Sequence, residues 1–244
     1  MCVCVCVQIC NVLHALRQEY IKWPGTPADI KVASSGFRFP FTIGAIDGSH
    51  IQIKAPLPKL ESYTNRKSIA SVVIQAACDS SMRFTDISVG WPGSMHDARI
   101  FRLSALGKRL SAQGIDPYHL LGDSAYPLLP YMIVPFQDNG HLTADEKTFN
   151  VLHSSSRTVI ERAFARLKGK FRRLKYLDMN DMALVTLVIT AACVLHNFTL
   201  LHEASIDEDV TDDADDVNLT SDQVSSEQQQ VAIERRRELM MMLL

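Results

Sequence analysis

The run Phe41-Thr-Ile-Gly-Ala-Ile-Asp-Gly-Ser-His-Ile-Gln-Ile53 constrains this chain most, because it sets one carboxylate inside an apolar strand pattern. Ile43, Ala45 and Ile46 precede Asp47, and Ile51 and Ile53 follow it. Isoleucine-rich runs bounded by Gly and Pro read as β-strands. A carboxylate centred in such a strand is costly to bury unless something positive pairs with it. Gly44 and Gly48 leave the backbone open to close approach at this point. Asp47 is therefore either a metal ligand or an awkward strand residue, and the remaining sequence must supply its partners.

At 244 residues the chain suits one medium domain with additions. Residues 8–22 read as a helix, and Thr26 as N-cap with Pro27 at the first helical position opens a second. Residues 59–68 are polar and basic and read as a loop. Ser71–Asp79 and Phe84–Val89 read as two more strands, which make an antiparallel meander with the first. Ser94 then caps a helix running to about Ala112, with Asp97 in capping-box position. His119-Leu-Leu-Gly-Asp123 is a short buried strand that breaks at Gly122-Asp123, and Tyr131–Phe136 is another. Thr143 and Glu146 form a capping box ahead of a long helix over about 155–175. That helix carries an apolar stripe of Ile160, Ala163, Phe164, Leu167, Phe171 and Leu174, with Glu161 beside it. This order of elements predicts an α/β fold: a ribonuclease-H-like mixed sheet of a three-strand antiparallel meander plus parallel strands, flanked by helices.

Asp47 on the first strand, Asp123 at the end of the fourth and Glu161 on a later helix are 76 and 38 residues apart. In a ribonuclease-H-like sheet the first and fourth strands are neighbours, and a helix over that face delivers Glu161. Three oxygen donors of this kind suit a hard cation, Mg²⁺ or Mn²⁺. Two such ions would clamp the attacking water and the leaving oxygen of a phosphodiester. Asp97 keeps two readings open, a helix cap or a further metal ligand. For His50, His96, His119, His141, His153 and His196, satisfied polar residues are the simpler reading.

Charge is unevenly distributed. Residues 203–244 hold 12 Asp/Glu against 3 Lys/Arg, leaving 22 Lys/Arg against 15 Asp/Glu in residues 1–202. A basic body suggests a polyanionic partner. Its densest part runs from Arg157 to Lys175, where Arg157, Arg162, Arg166, Lys168, Lys170, Arg172, Arg173 and Lys175 face one acidic residue, Glu161. Beside a carboxylate triad this reads as a stripe that tracks DNA phosphates, extended by Lys54, Arg66 and Lys67. A plain ion pair between Arg157 and Glu161, four residues on, is the simpler account of that pair alone. The six cysteines form no C-x-x-C pair, which argues against zinc and for reduced thiols. Residues 182–201 are apolar and long enough to cross a bilayer, but their threonines, His196 and Asn197 favour a buried core helix.

Five blocks then occur in order: Gly-Ala-Ile-Asp-Gly-Ser-His-Ile (44–51), Gly-Trp-Pro-Gly-Ser-Met-His-Asp (90–97), Leu-Leu-Gly-Asp-Ser-Ala-Tyr-Pro (120–127), Val-Ile-Glu-Arg-Ala-Phe-Ala-Arg-Leu-Lys (159–168) and Val-Leu-His-Asn-Phe (194–198). Together they resemble the PIF/Harbinger transposases and the nucleases derived from them, over about residues 11–201. The resemblance implies a DDE triad that cuts DNA with divalent metal, and it maps onto Asp47, Asp123 and Glu161. It also implies a nuclear protein working with a separate Myb-like DNA-binding partner, and it leaves oligomerisation open. The expected organisation is an N-terminal helical segment over 1–40, shortened relative to family members; a nuclease domain over 41–202; and an acidic tail over 203–244. That tail is expected to be mostly disordered, with a short helix near its end. A second class of function stays open, a domesticated and catalytically silent DNA- or protein-binding module.

Overall fold

A computed structural model describes residues 2–54, 60–202 and 226–243. Helices α1 (Cys2–Ala15) and α2 (Arg17–Tyr20) lead into α3 (Pro27–Ser35). Thr26 starts α3 as the sequence predicts: its hydroxyl accepts from the Asp29 N–H at 3.2 Å, and the Asp29 carboxylate accepts from the Thr26 N–H at 3.1 Å. Strand β1 (Thr42–Ile53) follows, and then a one-turn helix α4 (Leu60–Tyr63) where a loop is predicted. Strands β2 (Ser71–Cys78) and β3 (Phe84–Pro92) complete the meander, β3 running three residues past its predicted end.

The helix predicted from Ser94 to Ala112 is two helices, α5 (Asp97–Leu103) and α6 (Ala105–Gln113). Ser94 caps neither, because its hydroxyl donates to the Ser62 carbonyl at 2.7 Å. His96 holds the N-cap position of α5, and Ser104 caps α6 by accepting from the Gly107 N–H at 3.0 Å. Strands β4 (His119–Leu121) and β5 (Met132–Ile133) are shorter than predicted. Helix α7 (Ala144–Lys170) begins at the predicted Thr143–Glu146 capping box and runs unbroken. It stops before the predicted end: a 3₁₀ turn (Arg172–Lys175) and strand β6 (Tyr176–Leu177) take residues 172–177 instead. Helices α8 (Met182–His202) and α9 (Ser226–Leu243) close the described chain; the stretch 203–225, for which disorder is predicted, lies outside the described residues.

The sheet has the order β3-β2-β1-β4-β5, with β1, β2 and β3 antiparallel and β4 and β5 parallel to β1. This is the mixed ribonuclease-H-like arrangement that the element order predicts. The short β6 pairs parallel with the far end of β1 at Gln52 and Ile53. One face packs Ala45, Ile51, Ile53, Ile74 and Cys78 against α7 and α8 through Ile160, Phe164, Leu167, Val185 and Ile189. The other packs Ile43, Ile46 and Ala77 against Phe101, Leu106 and Leu110 of α5 and α6.

Helix α8 is apolar and long enough to cross a membrane, but half of it is buried within the fold. Its Asn197 closes that layer: the side-chain oxygen accepts from the Phe84 N–H at 2.8 Å, and the amide donates to the Phe84 and Tyr20 carbonyls at 2.7 and 2.8 Å. A satisfied buried amide of this kind explains why a polar residue sits in so apolar a helix. Helix α9 lies over a third cluster, where Leu239 joins Phe39, Leu121, Ile133 and Phe149. Arg235 and Arg236 fix it further, with guanidinium groups 5.0 Å from the Phe41 ring and 4.0 Å from the Phe136 ring.

Candidate active site

Strand register brings the two aspartates together. Ala45 of β1 pairs with Leu121 of β4 in parallel. Two residues further along lie Asp47, still within β1, and Asp123, just past the end of β4, near enough for the Asp123 carboxylate to raise that of Asp47. Beyond Leu121 that edge of β1 has no pairing partner among the described residues until Tyr176 meets Gln52. Asp47 therefore sits in a notch between β4 and β6, which leaves it half-buried and reachable. Its own turn of backbone helps hold it, since the Gly48 N–H donates to its Oδ1 at 2.7 Å. Asp123 is fixed likewise by the Ala125 N–H at 3.0 Å.

Helix α7 crosses this notch. Its apolar stripe (Ile160, Ala163, Phe164, Leu167) is buried against the sheet, which turns Arg157 and Glu161 toward the aspartates. Arg157 is the centre of the arrangement. Its Nη1 donates to Asp47 Oδ2 at 3.2 Å, and its Nη2 donates to Glu161 Oε1 at 2.5 Å. The ion pair suggested by the four-residue spacing is thus real, but it also reaches across 110 residues to β1.

A fourth carboxylate joins from the opposite side. Asp97 is the first residue of α5, after the His96 N-cap, and the Ser94 N–H goes to the Ser62 carbonyl instead of to its carboxylate. Its carboxylate stands against Gly48, where a methyl group would overlap its Oδ1. Of the two readings open for Asp97 in the sequence, the capping box is absent. The backbone behind it is held by Gln75, whose side-chain amide donates to the Asp97 carbonyl at 3.1 Å and to the Tyr126 hydroxyl at 3.0 Å.

The electrostatics follow from this crowding. Burial and then the Asp123 carboxylate push Asp47 up to about 8, against the pull of Arg157, with Asp97 adding to the rise. Burial and Asp123 push Asp97 up to about 7, with Arg66 pulling the other way. Asp123 is raised by burial, lowered by Arg157 and raised again by Glu161. Carboxylates that raise one another in this way make a site short of positive charge. The donors are all oxygen and are reachable, so they fit a hard divalent cation such as Mg²⁺ or Mn²⁺. As the side chains stand, no three His, Cys, Asp or Glu groups among the described residues close into a metal-ligating array. Between Asp47 and Glu161 lies the Arg157 guanidinium.

The remaining basic residues divide into two sets. Arg162, Lys170, Arg172 and Arg173 are exposed, while Arg166 and Lys168 are half-buried, all continuing along α7 and the 3₁₀ turn away from the carboxylates. On the opposite flank, Arg66 lies beside His96, with Nη2 and Nδ1 2.9 Å apart. Gln75 carries no reading in the sequence, and Arg157 reads there only as a phosphate-tracking residue and as the partner of Glu161. Gln75 is a long polar side chain in the middle of the wholly buried strand β2, which by itself implies a specific partner. What the sequence does not show for Arg157 is its bond to Asp47, 110 residues away.

The sequence profile of the DDE superfamily endonucleases matches residues 46–197. The human protein named Putative nuclease HARBI1 is 32% identical over 209 residues, which is 80% of this chain and 58% of the human one. Protein ALP1-like of Arabidopsis thaliana is 28% identical over 219 residues, 82% of this chain and 53% of its own length. Protein Antagonist of Like Heterochromatin Protein 1, also of Arabidopsis thaliana, is 28% identical over 218 residues, 82% of this chain and 55% of its own length. The chain therefore spans little more than half the length of these curated relatives. No solved structure matches it significantly.

Proposed function

The chain belongs to the DDE superfamily endonucleases, and from that premise we propose that it hydrolyses DNA phosphodiesters with divalent metal held by Asp47, Asp123 and Glu161. Asp97 is the candidate fourth ligand. The observation that carries this reading is the meeting of four carboxylates from β1, α5, the end of β4 and α7 at one reachable notch, charged enough to raise one another's pKa. When bound, Mg²⁺ or Mn²⁺ supplies an activated water and charge neutralisation at the scissile phosphate.

The residues of the chain do the rest. Asp47 presents its oxygens from β1 and Asp123 from just past the end of the adjacent β4, whose pairing with β1 fixes their spacing. Glu161 arrives on a helix anchored by its own buried stripe, so its reach is set by packing. Burial and mutual repulsion raise Asp47 and Asp97, and bound metal requires their deprotonated forms. The exposed arginines and lysines of α7 and the following turn give DNA phosphates a place to lie without reading sequence. DNA as substrate, a nuclear location, strand transfer and a Myb-like partner belong to this proposal, and residues 41–202 are its nuclease domain. The alternative, a silent binding module, draws on the name of the second Arabidopsis relative, which describes antagonism of a heterochromatin protein rather than cleavage.

The deciding experiment is nicking of supercoiled plasmid by the purified chain with Mg²⁺ or Mn²⁺. Activity that vanishes with chelator and in Asp47→Asn supports the nuclease; equal activity in wild type and Asp47→Asn removes the triad mechanism. DNA binding with no cleavage under any metal supports the silent module.

A further inference from the structure

We propose that Arg157 is an exchangeable internal cation of this site: it holds Asp47 and Glu161 together in the metal-free protein and must be displaced before a divalent ion can take their oxygens. The inference rests on the nuclease reading of the same carboxylates and adds a control on when they accept metal.

Three observations carry it. The guanidinium is a fork whose two terminal nitrogens go to different partners, Asp47 on β1 and Glu161 on α7. An ion pair serving only the helix would need Glu161 alone. The Arg157 side chain is 17% exposed and the Asp47 side chain 19%, so the contact is largely shielded and solvent screens it little. Among the groups acting on Asp47 and on Asp123, Arg157 is the one cation opposing the rise in each. A guanidinium is never deprotonated in a protein and so cannot leave by losing its charge. It can leave only by moving.

A divalent ion between Asp47 and Glu161 would need the same oxygens and the same space, and the two cations repel each other. Occupancy by the ion and by Arg157 is therefore mutually exclusive. The consequence is a metal threshold. The arginine stabilises the empty cluster and by the same contacts weakens apparent metal affinity, since an ion must first displace a bound competitor.

Two measurements on the full chain test this. The first is Mn²⁺ titration calorimetry of wild type and Arg157→Gln. The second is dione modification of wild-type arginines, read by mass spectrometry with and without Mn²⁺, with Arg162 as internal reference. We expect Arg157→Gln to bind Mn²⁺ about tenfold more tightly or better, and Mn²⁺ to speed modification of Arg157 but not of Arg162. Equal or weaker Mn²⁺ binding by the variant, or an Arg157 modification rate indifferent to Mn²⁺, overturns the exchange and leaves the nuclease reading standing. Absence of Mn²⁺ binding in both proteins removes the nuclease reading and the exchange together. If Arg157→Gln does not fold, the modification experiment on wild type decides alone.

Discussion

The carboxylate of Asp97 rests on the bare Cα of Gly48, one residue after Asp47. The contact joins the two faces of the sheet: Asp47 faces α7, while Asp97 comes from α5 on the other side and closes on the same notch. A Cβ at this position would occupy the place of Asp97 Oδ1.

Gly48→Ala is accordingly expected to damage the site more than the fold. The obstructing atom is the free end of a side chain and can swing away, so stability should change by no more than about 1 kcal/mol. Displacing Asp97 should weaken Mn²⁺ binding about tenfold or more. Thermal unfolding and metal titration on the same sample separate the two effects, and a large loss of stability with normal metal binding would refute the contact's proposed importance.

Neutralising the triad should abolish cleavage and spare the structure. Asp47→Asn, Asp123→Asn and Glu161→Gln keep shape while removing charge, and each is expected to reduce plasmid nicking to that of a protein-free control. Asp47→Asn should also hold or raise the melting temperature without metal, because it removes a carboxylate that burial and Asp123 disfavour. A lowered melting temperature in that variant would show that the Arg157 pair outweighs the repulsion.

Stability should depend on pH in a direction opposite to that of a salt-bridged aspartate. Asp47 lies at about 8 and Asp97 at about 7 in the folded chain, against roughly 4 when unfolded. The folded protein therefore retains protons that the unfolded chain has released. This contribution is full below about pH 4 and is lost as pH rises through 7 to 8. A metal-free sample should therefore melt several degrees lower at pH 8 than at pH 5.5. Saturating Mg²⁺ should flatten that slope, because bound metal requires the deprotonated form. A metal-free melting temperature that rises over this range would contradict the assignment.

Removing exposed charge along the 3₁₀ turn should weaken DNA binding without regard to sequence. Arg172→Ala and Arg173→Ala are each expected to lower the slope of log K against log salt by about 0.9 per lost phosphate contact. Binding isotherms at several salt concentrations check this, and an unchanged slope would place the DNA path elsewhere.

Helix α9 should contribute to stability through Leu239. That side chain is fully buried against Phe39, Leu121, Ile133 and Phe149, so Leu239→Ala is expected to cost about 2–4 kcal/mol. Denaturant unfolding measures it directly.

Local patterns made much of this protein legible in its sequence. The alternation around Asp47, the Thr26 and Thr143 caps and the stripe on α7 each depend on residues a few positions apart, and periods of 2 and 3.6 record them faithfully. The same rules misread Ser94, whose hydroxyl prefers a carbonyl 32 residues away, and they left Asp97 between a cap and a ligand. Arg157 looked like one member of a basic helix, and its bond to Asp47 spans 110 residues. Such contacts follow from strand order and helix placement, which chain spacing does not encode. What the sequence alone determined is which elements form and which acids they carry. Only the tertiary structure decided that Asp47, Asp97 and Asp123 lie near enough to raise one another and that Arg157 pairs Asp47 with Glu161, because those contacts depend on the register of β1 against β4 and on the face α7 buries.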